Sequence, residues 1–163
     1  MISHTSEYAL RAAICLAARK DDSPASANEI AQNICVPVGY LQKILRMLAR
    51  YGILTSQRGI HGGFALAKLP SEISILDILT ASETQLQRIT RCPLGIEGHT
   101  KLCSLHRLLD QEMARAEKTF AATTLADLLD GQGGVRHLCD VSGRLPVAVT
   151  IDSPARPSSP PGV

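Results

Sequence analysis

Cys92, Cys103 and His106 are the side chains best suited to soft-metal chemistry, and they fall close together in the sequence. Cys103 and His106 are three residues apart where a helical pattern begins, so both can face one point. Cys92 lies across a stretch holding Pro93, Gly95 and Gly98, a loop able to fold back on them. Thiolate and imidazole together suit zinc or an iron–sulfur cluster. His99, inside the loop, is a further donor. Two thiols can also close a disulfide on oxidation without any metal, and a purely structural loop is the plain alternative. The chain has five cysteines, an odd number that does not read as a disulfide framework and fits a reducing cytoplasm. Cys15, beside an apolar helical stripe, reads as a buried small hydrophobe, and Cys35 as structural. Cys139, near His137, is given no role.

A second concentration of chemistry is electrostatic. Between Val36 and Lys68 stand Lys43, Arg46, Arg50, Arg58 and Lys68, with no Asp or Glu. The whole chain carries 17 basic and 15 acidic residues, so outside this window acids outnumber bases in total. Positive charge gathered this way suits a phosphate backbone. The alternative is a solvated basic helix and hairpin with no partner.

The elements that must carry these groups can be read locally. With 45% hydrophobic residues and only 3% aromatic, the 163-residue chain can build an aliphatic, mostly helical core. Met1 to Lys20 reads as a first helix with Leu10, Ala13, Ile14 and Ala17 on one face; Glu7 and Arg11, one turn apart, can pair. Ser26 and Glu29 form an S-x-x-E capping box ahead of Ile30, Ala31 and Ile34. Pro37 ends that helix. Leu41, Ile44, Leu45 and Leu48 then mark a second helix, with Gly52 as its stop. Two short helices with a tight turn make a helix-turn-helix. The runs ILTSQ and FALAK, joined by RGIHGG, read as a two-stranded wing.

Beyond the wing, LPSEISILDIL predicts a helix capped by Ser71 or Ser74. Leu102, Leu105, Leu109, Met113, Ala116 and Phe120 recur at steps of three or four, a seam too long for an isolated helix. It requires a partner, or failing that the protein's own body. Thr124 caps a short helix ended by Gly131. The remaining Gly-, Pro- and Ser-rich segment reads as a mobile tail, apart from a short apolar run in LPVAVTI. No apolar run is long enough to span a membrane. The N-terminus lacks the pattern of a secretion signal. There is no nucleophile–base–acid set, no phosphate-cradling glycine loop and no paired carboxylates, so an enzyme is not the reading.

The segment VPVGYLQKILRMLARYGILTSQRGIHGGFALAK, through YLQKIL and the RG-x-x-GG[F/Y]-x-L wing, resembles the Rrf2 superfamily of bacterial winged-helix regulators. That superfamily includes the iron–sulfur regulator IscR, the nitric-oxide-sensing NsrR and the cysteine-metabolism repressor CymR. The likeness extends to SEYALRA and, more loosely, to the Cys/His segment, covering about Met1 to Gly131. It implies DNA contacts by Tyr40, Gln42 and Lys43; Gly39 lies at the same N-terminal end of the helix, Arg58 at the wing's tip is a further candidate, and Arg46 and Arg50 contact phosphates or simply face water. Gln42 could pair with adenine, Lys43 could meet guanine or phosphate, and Arg58 suits a narrow minor groove. A member such as IscR carries an acidic residue at Gln42's place, so base preference is not carried over.

The resemblance also implies a homodimer formed through the long helix. A cluster would be held by Cys92, Cys103 and His106, with Glu7 donated across the dimer or His99 completing the set. Cluster-binding members carry Cys-x5-Cys-x5-Cys here. This chain lacks the middle cysteine, has Ile96, Glu97 and Gly98 in its region, and is one residue shorter in the loop. A 2Fe-2S cluster is therefore favoured over 4Fe-4S, with zinc as the alternative.

These readings combine into a mainly α protein. Residues 1–80 form a winged helix-turn-helix DNA-binding domain, 81–131 the Cys/His sensor loop and dimerisation helices, and 132–163 the tail. The expected function is a dimeric transcriptional regulator, acting as a repressor because binding over a promoter needs no further contact. Its partner is double-stranded DNA with a dyad-symmetric operator, and its affinity is switched by the cluster or by redox state. The alternatives are a regulator controlled by a bare thiol pair or by a partner protein, and a winged helix used for protein contact.

Overall fold

The computed structural model describes residues 2–20, 23–59, 62–82, 86–92 and 101–130. The expectations for His99, Gly131, His137, Cys139 and the tail lie outside these residues. Among them the order is α1 (His4–Ala17), α2 (Ala27–Ile34), α3 (Val38–Arg50), β1 (Leu54–Gln57), β2 (Gly63–Leu66), α4 (Ile75–Ala81), α5 (Ser104–Ala122) and α6 (Leu125–Leu129). A single 3-10 turn at Pro70–Glu72 joins β2 to α4.

The core is aliphatic, as the composition requires. Leu41, Ile44, Leu45 and Leu48 of α3 are fully or almost fully buried, each contributing about 1.5–3 kcal/mol. They pack with Ile30 and Ile34 of α2, Ile78 and Leu79 of α4, and α1. Helix α1 corrects the sequence reading of its face. Its buried ridge is Ser6, Ala9, Ala12, Ala13, Cys15 and Leu16, while Leu10, Ile14 and Ala17 are only partly covered. Small side chains let α2, α3, α4 and α6 all approach α1, which larger ones on that ridge would prevent.

Local signals explain the helix ends. Ser26 accepts a hydrogen bond from the Glu29 amide, but the Glu29 carboxylate pairs with Arg19 rather than closing the expected capping box. Helix α2 ends at Cys35, whose backbone is left-handed (φ 55, ψ 47), two residues before the proline expected to stop it. That conformation costs a non-glycine residue roughly 1–2 kcal/mol. Pro37 instead starts α3, its carbonyl accepting from the Tyr40 and Leu41 amides. Gly52 (φ +71) ends α3: its amide reaches Ala49 and that of Ile53 reaches Leu48, the paired bonds of a Schellman motif. Of the two candidate caps for α4, Ser74 serves, in a reciprocal box with Asp77.

Strands β1 and β2 pair antiparallel, Leu54 opposite Leu66 and Gln57 opposite Gly63. Ala25, ahead of α2, adds a bridge to Phe64 through two backbone hydrogen bonds of 2.9 and 2.8 Å. The wing is thereby tied to the helices. Helix α6 also returns to this body: Leu125 is fully buried, and its amide bonds the Ile73 carbonyl.

Candidate nucleic-acid interface and metal centre

Helix α3 presents its basic residues because its core residues fix its rotation. At 3.6 residues per turn, burying Leu41, Ile44, Leu45 and Leu48 sends positions 39, 43, 46 and 50 to the opposite face. Gly39, Lys43, Arg46 and Arg50 are all exposed there. Lys43, Arg46 and Arg50, with Ala49, line an open groove of about 650 Å³ whose other wall is Ser56 and Phe64 of the wing. Gln42, beside Leu41 of the buried face, is half-buried. Arg58 is exposed just past β1, beside Gly59 (φ +114), on the described edge of the wing turn. Ile60 and His61 lie outside the described residues.

Tyr40, 39% exposed, turns towards α1. Its hydroxyl hydrogen-bonds Thr5, and its ring meets Tyr8 edge-on at 6.0 Å. These two supports from α1 had no signal in the sequence, since nothing local links residue 5 or 8 to residue 40.

The second site forms where α5 begins. Cys103 is the N-cap residue of α5 and His106 lies in its first turn. His106 Nδ1 is 3.1 Å from Cys103 Sγ and 3.6 Å from Cys92 Sγ. The three potential ligand atoms all lie within 4.8 Å of one another, each half-buried. Two sulfurs and one imidazole nitrogen fit a thiophilic metal or an iron–sulfur cluster that takes at least one more ligand from elsewhere. Within this chain Glu7 is not part of that group; its carboxylate pairs with Arg11, whose guanidinium also lies 5.8 Å from the Tyr8 ring centre.

Cys92 reaches the site on a segment without helix or strand (86–92) that lies against α5. Arg88 donates to both carboxylate oxygens of Asp110 at 2.7 and 2.8 Å, and the Ile89 amide donates to the same carboxylate at 2.9 Å. The Arg88 hydrogen bonds hold the Asp110 carboxyl below the usual aspartate range, with the Ile89 amide acting in the same direction. The guanidinium is in turn held more firmly in its charged form. Neither residue was singled out in the sequence.

Among the described residues, much of the apolar seam of α5 is left open. No residue of α5 is buried. Leu105 is 60% and Leu108 55% exposed, with Leu109 and Met113 also open. Phe120 alone of the predicted seam packs against the core. No helix among the described residues is long and apolar enough to cross a membrane.

A winged helix with a cationic recognition face places the chain among DNA-binding regulators. The family described as Rrf2, iron-dependent transcriptional regulator, matches residues 2–131, and the chain belongs to it. The provisionally named HTH-type transcriptional regulator slr0846 of Synechocystis sp. is 42% identical over 125 residues, covering 76% of this chain and 83% of that one. The HTH-type transcriptional regulator NsrR of Geobacillus kaustophilus is 30% identical over 141 residues, covering 84% and 95%. The solved structure of CymR, the global cysteine regulator of B. subtilis, superposes with a TM-score of 0.69 at 26% identity, covering 80% of this chain and 96% of that one. The protein is thus a transcriptional regulator and not an enzyme.

Proposed function

We propose that the protein acts as a cytoplasmic homodimer that binds a dyad-symmetric operator and represses transcription from it. Its affinity would be set by an iron–sulfur cluster held at Cys92, Cys103 and His106. The observation that carries this reading is the gathering of two thiols and an imidazole within 4.8 Å at the start of α5, a helix whose apolar seam is uncovered. A family described as iron-dependent supports iron there.

Pairing α5 with its counterpart covers Leu105, Leu108, Leu109 and Met113 and holds two recognition helices at a fixed separation. Lys43, Arg46 and Arg50 then meet phosphates or guanine edges, Gln42 and Gly39 lie at the groove, Tyr40 is braced by Thr5 and Tyr8, and Arg58 enters the minor groove. Three donors from one chain leave a coordination position for Glu7 of the partner subunit, once its pairing with Arg11 is released, or for His99. A set with two sulfurs favours a 2Fe-2S cluster over 4Fe-4S, with zinc as the alternative. When bound, the cluster supplies a centre whose charge and integrity respond to oxidant or nitric oxide. Its state changes affinity only if the two dimer arrangements bind the operator unequally.

Anaerobic purification with visible absorption and iron, sulfide and zinc assays tests the site. Duplex binding by loaded and metal-free protein tests the switch. Replacing Lys43 and Arg58 by alanine should weaken binding and flatten its salt dependence by about one phosphate contact each. Unchanged affinity in both variants would refute the DNA-reading surface. One other control is supported by geometry: the Cys92 and Cys103 sulfurs lie within 4.8 Å, so a bare thiol switch, closing a disulfide after a local shift, predicts an oxidant response with no metal.

A further inference from the structure

The geometry points to Arg88 and Asp110 as a clip that positions Cys92 for ligation. This inference rests on the proposed ligand site but concerns residues outside it. Cys103 and His106 need no help to meet, because one helix start carries both. Cys92 has no such support. It ends a described segment without regular structure.

What the segment has is Asp110. This residue sits one helical turn beyond His106, on the same face of α5. It takes both nitrogens of a forked Arg88 contact and the Ile89 amide. Glu117, two turns further on, lies 3.8 Å from the same guanidinium and limits its swing. A bidentate arginine–carboxylate pair fixes orientation as well as distance. With residue 88 fixed along the helix and residue 89 fixed by its backbone, Cys92 lies within a few residues of an anchored point and its Sγ comes to 3.6 Å from His106. The Asp110 side chain is 17% exposed and that of Arg88 44%, so the pair is not a core element. Its effect is to raise the local concentration of one thiol at the other two donors.

Two readouts separate this role from general stability. In the first, metal-free protein is equilibrated with glutathione. One glutathione disulfide and the Cys92 and Cys103 thiols give one Cys92–Cys103 disulfide and two reduced glutathiones, so the equilibrium constant measures the effective concentration of Cys92 at Cys103. In the second, cobalt(II) is titrated into the full-length reduced protein and sulfur-to-metal absorption is followed. Arg88→Met and Asp110→Asn should each lower the disulfide constant and the cobalt affinity roughly tenfold, towards the value for an untethered loop. Arg88→Lys should restore part of both.

Thermal melting and metal-free duplex affinity should stay unchanged, because neither residue touches the core or the cationic face. A variant that loses its cooperative melting would make the pair structural and overturn the inference. So would disulfide constants within twofold of the unaltered protein. If the unaltered protein binds no cobalt, the ligand-site reading fails, while the thiol equilibrium still tests the clip.

Discussion

The winged-helix body and the arm made of α5 with segment 86–92 are built on opposite principles. In the body, α1 to α4, the wing and α6 share one aliphatic core, and even the wing is tied in through Ala25 and Phe64. In the arm, α5 has no buried residue, and the segment carrying Cys92 is held by a surface ion pair and a backbone contact. The body can fix its recognition face alone. On the function proposed above, the arm would gain further order from a second copy along the seam or an ion among the donors. Such an arrangement suits a sensor, because regions of low intrinsic stability are those a ligand can reorder.

The sharpest way to break this contrast is a matched pair of truncations. Leu48→Ala removes a fully buried side chain from the body and should cost about 2–5 kcal/mol in urea unfolding. Leu109→Ala removes an exposed one from the arm and should alter unfolding of the monomer by less than about 0.5 kcal/mol, while sedimentation shows weaker self-association. Equal costs in the two regions would dissolve the distinction.

A smaller effect tests how the wing is tied down. A β-carbon on Gly63 would lie 2.4 Å from the Ala25 carbonyl oxygen, a contact with backbone that cannot yield locally. Gly63→Ala should therefore destabilise by about 1–3 kcal/mol and speed hydrogen exchange at the Ala25 and Phe64 amides. If it leaves both unchanged, the wing is not tied down at Ala25.

The smallest effect concerns acid. Asp110 has its folded-state titration lowered by Arg88, so the stabilisation it provides is present above the ordinary aspartate range and lost as pH falls through the lowered value. The Ile89 amide resonance should therefore hold steady through mildly acid pH and shift only at the acid end. Asp110→Asn should remove that dependence, and a midpoint at or above the ordinary value would contradict the pairing.

Much of the fold was legible because its signals are local. The spacing of Leu41, Ile44, Leu45 and Leu48 set the rotation of α3, and with it the exposure of Lys43, Arg46 and Arg50. The Ser26, Ser74 and Thr124 caps and the Gly52 stop each depend on residues three or four apart. Cys103 and His106 could be paired because one helical start holds both.

Other features were decided only in three dimensions. Which side of α1 is buried most deeply depends on four helices converging on its alanines; of the predicted stripe Ala13 is fully buried, while Leu10, Ile14 and Ala17 pack at its margin. Glu29 preferred Arg19, ten residues away, to its own helix end. Arg88 and Asp110 are 22 residues apart, and surface ion pairs of common residues leave no mark on either neighbourhood. Gly62 and Gly63 read as turn formers, yet Gly63 is required by the approach of Ala25. Periodicity and capping act over a few residues and so are written in them; contacts between distant, ordinary side chains exist only once the chain has packed.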